Sequence, residues 1–572
     1  MTALEVPAAD PLDDVVIDVD GLDVSFDTPD GGRQHIVKDV GFTLRRGRCV
    51  ALVGESGSGK SVTARSIVGL TGEGASVTAR TLALEGDTLL GRPESWWRRI
   101  RGSRVGFVLQ DALVSLDPLR PVGKEIEEAY QLHGIGDRAS RRAAAIEVLG
   151  RIGVPEPEVR ARQRPGELSG GLRQRALIAS AIALDPQVVI ADEPTTALDV
   201  TVQSQILDVL ERMIAEGRSV ILISHDLAVV ARLADEILVM QDGRIVESGT
   251  TEQILDDPRH PYTRQLIDAV PSEHTKGTRL APEDPSRRSA AELFPRRAAV
   301  SPDEPGQHLL EVRDVVKAYR GPDRVSRRAV DGVSFHLDRG ETLGIVGESG
   351  SGKSTVARIA LSLVRPDDGD VLFRGAPWSA ASHATQRAIR RRISVVYQDP
   401  LSSFDPRWRV GRILDDAIRL GHPDRAGRLR ERTVELLEMV GLTAAHVSAW
   451  PLTLSGGQRQ RVAIARALAT NPEIVVLDEA VSALDVSIQA QILDLLQDLQ
   501  TQLDVSYLFI SHDLGVIHHM SDRVVVMQHG RAVEQGTAAE VFTDPQDPYT
   551  QRLLDSLPRL QYARLHQASR RP

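Results

Sequence analysis

The chain has 572 residues, 41% of them apolar and 26% charged, with a formal net charge of −10. This length exceeds one core and predicts several domains, and the composition is that of a globular protein. The negative charge argues against nucleic acid as a partner, because binding a phosphate backbone takes a basic surface. The single cysteine, Cys49, excludes a disulfide framework, a cysteine-ligated iron–sulfur cluster and zinc modules.

Residues 1–13 form an acidic tail without an apolar core region, so we expect no secretory signal. No apolar run in the sequence approaches the roughly 18 residues that a membrane-spanning helix needs. We therefore expect any membrane association to depend on other proteins.

The stretch GESGSGKS, Gly54–Ser61, follows the apolar strand pattern VALVG and precedes the helical pattern SVTARSIVGL. This is the context of a phosphate loop, in which backbone amides and a helix N-terminus face the phosphates. Lys60 is placed to reach the β- and γ-phosphates, and the Ser61 hydroxyl to bind Mg²⁺.

A second anion-binding surface is predicted at LSGG, where Ser169, Gly170 and Gly171 open a helix. The plain alternative is that Ser169 only caps the helix. Before that helix, a helical insert is predicted near Glu125–Val154.

The apolar strand VVIADE ends in an acidic pair. Asp192 suits a Mg²⁺ shell, and Glu193 is placed to orient or deprotonate a water that attacks the γ-phosphate. The alternative is a strand that simply ends in solvated carboxylates, and the nearby phosphate loop favours the catalytic interpretation.

All of these patterns return in the second half of the chain, which indicates a duplicated domain rather than a short repeat. We predict a tail at 1–13, an α/β domain at 14–271, a flexible Pro- and Ser-rich linker at 272–307 and a second α/β domain at 308–572. The repeated motifs are GESGSGKS at Gly347–Ser354, LSGG at Ser455–Gly457, and the acidic pair Asp478 and Glu479.

Together, LSGGQRQR, DEPTTALD and SHDL resemble the signature, Walker B with D-loop, and switch-histidine motifs of ATP-binding cassette (ABC) ATPases. The resemblance covers nearly the whole chain outside the tail and linker. It implies tandem P-loop ATPase domains, each with a RecA-like α/β core, a helical subdomain and an antiparallel β subdomain. It also implies a head-to-tail pair of cassettes, with one ATP between Lys60 and Ser455 and another between Lys353 and Ser169.

The resemblance assigns further roles by motif, with ATP and Mg²⁺ as the bound groups. Phe26 and Tyr319 would stack on adenine, although a buried core aromatic is the alternative for each. The implied catalytic residues are Glu193, Glu479, His225, His512, Gln110 and Gln398. The implied nucleotide-binding residues are Gly54, Ser56, Gly57, Gly59, Lys60, Ser61, Val62, Gly347, Ser349, Gly350, Gly352, Lys353, Ser354, Thr355, Ser169, Gly170, Gly171, Ser455, Gly456, Gly457, Phe26 and Tyr319. The implied metal ligands are Ser61, Gln110, Asp192, Ser354, Gln398 and Asp478. The resemblance also implies that Asp199 and Asp485 close the D-loops across the interface between the cassettes.

Within that family the chain is most similar to the peptide/nickel importers. The evidence is DPLSSFDP at Asp399–Pro406, the looser DALVSLDP at Asp111–Pro118, and the tails HPYTRQLIDAVP at His260–Pro271 and DPYTQRLLDSLP at Asp547–Pro558. This resemblance implies an ATPase that drives uptake of oligopeptides or dipeptides. Its expected partners are two integral membrane permease subunits and an extracytoplasmic binding protein, and its expected place is the cytoplasmic face of the membrane.

Other cargoes remain open, because nickel chelates, glutathione and metallophores are served by the same family. A ribosome-associated translation factor with two fused cassettes is the rival of another class. Such a factor predicts a long helical linker, whereas residues 272–307 are interrupted by prolines. A purely structural pair is excluded because both sets of catalytic motifs are intact.

Overall fold

The structure, a computed structural model, describes residues 14–28, 31–110, 115–195, 198–271, 276–282, 308–320, 325–421, 428–482 and 484–556. These residues form two compact units, here the first and second domains, whose main division lies between residues 267 and 268. The predicted tail at 1–13, most of the predicted linker and part of the segment DALVSLDP lie outside the described residues.

The first domain combines two sheets with helices on their faces. Its strands are β1 (Val15–Asp27), β2 (Arg33–Arg45), β3 (Cys49–Val53), β4 (Ala75–Thr78), β5 (Thr81–Leu84), β6 (Asp87–Thr88), β7 (Val105–Val108), β8 (Val188–Asp192), β9 (Ser219–Ile223), β10 (Glu236–Gln241) and β11 (Arg244–Thr250). Its helices are α1 (Lys60–Ile67), α2 (Glu94–Ile100), α3 (Val122–Leu132), α4 (Arg138–Arg151), α5 (Pro157–Arg160), α6 (Gly170–Ile182), α7 (Val200–Ala215), α8 (Leu227–Leu233), α9 (Thr251–Asp256) and α10 (Pro261–Asp268), with a 3₁₀ turn at Pro165–Glu167.

The central sheet has the strand order β11-β10-β3-β9-β8-β7, and all its neighbours are parallel except the β10–β11 pair. Strands β3, β8 and β9 are buried along their whole length, as expected of parallel strands covered on both faces. The carboxyl ends of β3 and β8 therefore lie at one edge of the sheet, where the phosphate loop and the acidic pair follow.

A separate antiparallel sheet, ordered β2-β1-β5-β6 with β4 also paired to β1, packs with the core sheet in one apolar cluster. Helices α3 and α4 pack against each other and against α6. They form the predicted helical insert. Their apolar residues recur at three- and four-residue spacing, which gives each helix one apolar face to bury.

The second domain repeats this arrangement. Its strands are β12 (Leu310–Arg320), β13 (Ser326–Leu337), β14 (Thr342–Val346), β15 (Asp368–Phe373), β16 (Ala376–Pro377), β17 (Ile393–Tyr397), β18 (Ile474–Asp478), β19 (Ser506–Ile510), β20 (Arg523–Gln528) and β21 (Arg531–Thr537). Its sheets are ordered β17-β18-β19-β14-β20-β21 and β13-β12-β15-β16. The helices are α11 (Lys353–Ala360), α12 (His383–Arg390), α13 (Val410–Gly421), α14 (Leu429–Met439), α15 (Gly456–Leu468), α16 (Val486–Leu503), α17 (Leu514–Met520), α18 (Ala538–Thr543) and α19 (Pro548–Asp555), with 3₁₀ turns at Leu401–Ser403, Ala444–Ser448 and Pro451–Thr453. The predicted fold class is therefore confirmed in both domains.

One piece of the predicted linker, Lys276–Ala281, packs on the second domain, and we call it the strap. The backbone amides of Leu280 and Ala281 donate to the two carboxylate oxygens of Asp494, at 3.1 and 2.9 Å. Asp494 is 4% exposed and Leu280 is 2% exposed, and burial raises the pKa of the Asp494 carboxyl. At the matching position of the first domain, Asp208 instead pairs with Arg232. The backbone amides of the strap thus take the place of a cationic partner.

Candidate functional site

In the first domain the phosphate loop connects β3 to α1, as the sequence predicts. The ammonium group of Lys60 donates to the carbonyl oxygens of Gly54 and Glu55, at 2.8 Å each. A Cβ atom at Gly54 would lie 2.2 Å from the carbonyl oxygen of Met240, so only glycine fits between the loop and β10. Gly59, with φ of 101°, caps α1 in the left-handed region.

The loop of the second domain has the same geometry. Lys353 donates to the carbonyl oxygens of Gly347 and Glu348, at 2.7 and 2.9 Å. Burial lowers the pKa of Lys353, against the opposing effect of nearby carboxylates led by Glu479. Each loop therefore presents a desolvated ammonium group beside a helix N-terminus, an arrangement suited to phosphate oxygens.

The Walker B aspartates lie beside the serines of the loops, Asp192 buried and Asp478 half-buried. Asp192 is fully buried, and its Oδ1 accepts the Ser61 hydroxyl at 2.9 Å. Burial raises the pKa of Asp192, and burial with the charge of Glu479 raises the pKa of Asp478. One buried oxygen of each carboxylate, Oδ2 of Asp192 and Oδ1 of Asp478, has no hydrogen-bond partner among the described residues. Uncompensated buried carboxylate oxygens next to a hydroxyl fit Mg²⁺, which prefers oxygen ligands.

We expect replacement of both Asp192 and Asp478 by Asn to have opposite effects with and without Mg²⁺. Without metal, the melting temperature should be unchanged or higher, because two uncompensated buried anions are removed. The increase in ATP affinity caused by Mg²⁺ should fall by at least about tenfold. Differential scanning calorimetry and calorimetric ATP titrations check the two effects, with exposed Asp242→Asn as control. A loss of stability without any change in the Mg²⁺ effect would contradict the assignment.

Glu193 contacts both Gln110 and His225 in the first domain. Its carboxylate accepts the Gln110 side-chain amide at 2.7 Å and lies 3.3 Å from Nδ1 of His225. Burial lowers the pKa of His225, but the hydrogen bond and charge of Glu193 outweigh it and leave the pKa raised. Glu193 also has a φ of 48°, a conformation that non-glycine residues rarely adopt and that concentrates at functional sites.

The second domain keeps the glutamate–histidine pair but changes the glutamine contact. Nδ1 of His512 lies 3.5 Å from Glu479, and Glu479 has a φ of 51°. The hydrogen bond of His512 lowers the pKa of Glu479. Gln398, however, donates to the Ser482 hydroxyl at 3.4 Å. The two domains therefore share the glutamate–histidine pair and differ in the partner of the glutamine, Gln110 or Gln398.

The signature serines are exposed N-caps of thirteen-residue helices. The Ser169 hydroxyl accepts the Leu172 amide at 3.4 Å, and the Ser455 hydroxyl accepts the Gln458 amide at 3.3 Å. In the second domain the side-chain oxygen of Gln458 also accepts the backbone amide of Ser455. Leu172, at the matching position of the first domain, has no polar side-chain atom to do so. Capping and anion binding are compatible here, because the first amides of an exposed helix remain available to a ligand.

The two aromatic residues predicted to stack on adenine differ in exposure. Phe26 is half-buried and packs against the apolar cluster of the first domain. Tyr319 is 44% exposed, with the Lys317 ammonium 5.9 Å from its ring centroid. An adenine-stacking role stays a prediction for both, and the exposed face of Tyr319 suits it better.

Each tail contacts the phosphate loop of its own domain, which the sequence motifs do not predict. The hydroxyl of Tyr262, in HPYT, accepts the backbone amide of Glu55 at 2.9 Å. The hydroxyl of Tyr549, in DPYT, accepts the amide of Glu348 at 3.1 Å. The signal was present in the sequence, because the same tyrosine recurs at the same place in both tails, but the motif indicated only a family.

One cluster away from the ATP sites could offer three metal ligands, namely His308, His336 and Asp338. His308 and Asp338 lie 2.7 Å apart, and the two imidazole rings stack. Arg523 approaches Nε2 of His336 at 2.9 Å. A guanidinium at that nitrogen opposes a second cation, so we assign no metal to this cluster.

Comparison with protein families decides the identity of these paired sites. The model of the ABC transporter family matches residues 37–196 and again residues 330–482. The chain belongs to the ABC transporter family. It is accordingly an ATPase whose ATP hydrolysis is coupled to transport, as the motifs predicted.

Full-length relatives of this ABC ATPase also carry two fused cassettes. The oligopeptide transport ATP-binding protein OppD of Mycobacterium tuberculosis is 42% identical, over 96% of this chain and 99% of its own length. The glutathione import ATP-binding protein GsiA of Escherichia coli is 41% identical, over 97% of this chain and 91% of its own length. A second family model, the C-terminal region of oligopeptide/dipeptide transporters, matches residues 246–295 and 533–571 of the ABC ATPase. No helix in the described part of this ABC ATPase is long and apolar enough to cross a membrane.

Proposed function

We propose that the chain energises the import of oligopeptides or dipeptides. The observation that carries this proposal is the match of both tails to the C-terminal region of oligopeptide/dipeptide transporters. That match covers the helices α10 and α19, which contact the phosphate loops. The similarity to the oligopeptide transport protein OppD supports the same cargo.

Glutathione is the second candidate cargo. The relative named for glutathione import is 41% identical over 97% of this chain, nearly the same as the relative named for oligopeptides. Glutathione is itself a tripeptide, so the two candidates share the chemistry of a small peptide. The ATPase does not contact the cargo in this scheme, and its sequence does not separate the two.

We further propose that the two ATP sites are composite, with Mg²⁺ held by the Ser61–Asp192 and Ser354–Asp478 pairs. The phosphate loop of each domain would be completed by the signature helix of the other. The exposure of the signature serines, Ser169 and Ser455, supports this arrangement, since an anion site for the partner's nucleotide has to be open at the surface. In each site the glutamate acts on the attacking water and the histidine holds that glutamate.

The proposed partners are two permease subunits in the membrane and an extracytoplasmic binding protein. The ATPase would bind the permeases at the cytoplasmic face, near Gln110 and Gln398. Both glutamines are exposed in the described structure, as residues that face a partner have to be. No nucleic-acid partner is proposed, because the net charge of −10 disfavours one.

Uptake by cells that lack the gene tests the proposal. Labelled dipeptides, oligopeptides and glutathione are supplied to cells expressing the wild-type chain or the matched Glu193→Gln/Glu479→Gln variant at the same level. We expect the wild type, and not the variant, to restore peptide uptake and to co-purify with permease subunits. Restored uptake of glutathione alone would select the second candidate. Co-purification with ribosomal proteins and no permease would overturn the importer assignment.

A further inference from the structure

The contact between tail and phosphate loop is built the same way in both domains. Tyr262 and Tyr549 are each 5% exposed, and the hydroxyl of each accepts an amide of the phosphate loop. The amide belongs to the second residue of GESGSGKS in both cases. Burial raises the pKa of Tyr549 to about 12, so this phenol stays protonated at neutral pH. Because the same contact occurs in both copies of the domain, we attribute it to the tail motifs HPYT and DPYT.

Residues of the tail itself hold the backbone of each tyrosine at the start of its helix. Asp547 caps α19 by accepting the Tyr549 amide at 2.7 Å, and Pro548 occupies the first turn. In the first domain, Nδ1 of His260 accepts the Tyr262 amide at 3.3 Å. Proline suits this position because the first helical amides have no intrahelical partner.

The loop before each of these helices is also held from the neighbouring strand. Glu247 of β11 accepts the amides of Arg259 and His260, at 2.7 and 3.0 Å. Glu534 of β21 accepts the amides of Gln546 and Asp547, at 2.8 and 3.2 Å. The start of each tyrosine-bearing helix is therefore held by the neighbouring strand.

The peptide unit that the tyrosine holds also holds the phosphate-loop lysine. The Gly54–Glu55 peptide donates its amide to Tyr262, and its carbonyl, that of Gly54, accepts the Lys60 ammonium at 2.8 Å. In the second domain, the Gly347–Glu348 peptide donates its amide to Tyr549, and its carbonyl, that of Gly347, accepts the Lys353 ammonium at 2.7 Å. The hydroxyl thus determines the position of a peptide on which the phosphate-binding lysine rests.

We propose that Tyr262 and Tyr549 are positioning residues of the two ATP sites, which act by fixing the peptide unit between the first two residues of each phosphate loop. They preorganise the phosphate loop for nucleotide binding and do not take part in hydrolysis. Nucleotide affinity then depends on the hydroxyl, whereas the chemical step does not. The tail of each domain is by this account part of the nucleotide site.

The test replaces each tyrosine by Phe in the full chain, which keeps the buried ring and removes only the hydroxyl. A net hydrogen bond of about 0.5–1.5 kcal/mol corresponds to about a 2- to 10-fold change in binding. We expect ATP and ADP to bind about 2- to 10-fold more weakly at one of two sites in each single variant, and at both in the double variant. The KM for ATP should rise equally, with kcat within about twofold of the wild type.

Two other hydrogen-bonded tyrosines provide controls, the half-buried Tyr130 and the buried Tyr507. The Tyr130 hydroxyl donates to the Ala183 carbonyl, and the Tyr507 hydroxyl donates to the Leu496 carbonyl, at 2.6 and 2.9 Å. Tyr130→Phe and Tyr507→Phe lose a comparable bond away from the loops and should leave KM unchanged. Hydrogen exchange supplies an independent readout, because the Glu55 and Glu348 amides should exchange faster only in the loop variants.

The proposal is overturned if Tyr262→Phe and Tyr549→Phe lower only the melting temperature, as the controls do, with KM and loop exchange unchanged. It is also overturned if kcat falls while nucleotide affinity holds, because the tyrosine would then act on the chemical step. Wild-type turnover at saturating ATP shows that a variant is folded, so a change in affinity is not a folding defect.

Discussion

Replacement of Glu193 or Glu479 by Gln is expected to lower ATP turnover strongly while ATP binding stays intact. Removal of a positioned general base typically costs about 10²–10⁴-fold in rate. We assign the role of general base to each glutamate because its carboxylate lies beside a histidine and the residue has a left-handed backbone conformation. Gln keeps the size and the hydrogen-bonding oxygen but cannot take a proton at neutral pH.

Steady-state turnover and calorimetric ATP titrations measure the two effects separately. Exposed Glu147→Gln is the control, because it makes the same chemical change on the surface of α4. The double variant should trap an ATP-filled closed pair of cassettes. If one single variant kept wild-type turnover and its site still held unhydrolysed ATP in a single-turnover assay, that site would be structural and the two sites would not be equivalent.

Replacement of Ser455 by Arg is expected to impair the ATP site that contains Lys60 and to spare the site that contains Lys353. The bulky cation would block the exposed N-terminus of α15, which is proposed to face the other domain's nucleotide. Loss of one preorganised anion contact typically costs about 10²–10³-fold in turnover. A photoreactive ATP analogue, followed by mapping of the labelled peptides, shows which phosphate loop is affected.

Ser169→Arg is the reciprocal control and should impair the Lys353 site instead. Both serines cap helices of the same length, so any loss of stability should be similar in the two variants. Labelling lost at the phosphate loop of the same domain as the substitution would contradict the composite arrangement. Equal loss at both loops in each variant would mean that the pair fails as a whole.

The phosphate loops and acidic pairs were predictable from the sequence because their geometry is local. A strand, a glycine-rich turn and a helix start within a few residues of one another, and GESGSGKS specifies all three. The pairing of Ser61 with Asp192 follows from a parallel sheet, in which the carboxyl ends of β3 and β8, on either side of β9, lie at the same edge. Fold class and ligands could therefore be inferred together.

Other features depend on contacts that no local pattern encodes. Tyr262 and Glu55 are 207 residues apart in the chain, and their hydrogen bond exists only because α10 returns to the phosphate loop. Gln110 and Gln398 follow equivalent strands, yet they bond to Glu193 and to Ser482 respectively. Such differences come from side-chain packing in three dimensions, which motif identity does not determine.

The strap determines where a separate protein that contains only the second domain would have to begin. A second protein that began at His308 would lack Leu280 and both amides that bind Asp494. The carboxylate would then lose both backbone donors and the cover of Leu280, and we expect a loss of stability of about 1–3 kcal/mol. A cut before Lys276 keeps this segment with the domain on which it packs, so we expect a second protein that begins upstream of the strap to be more stable than one that begins downstream of it.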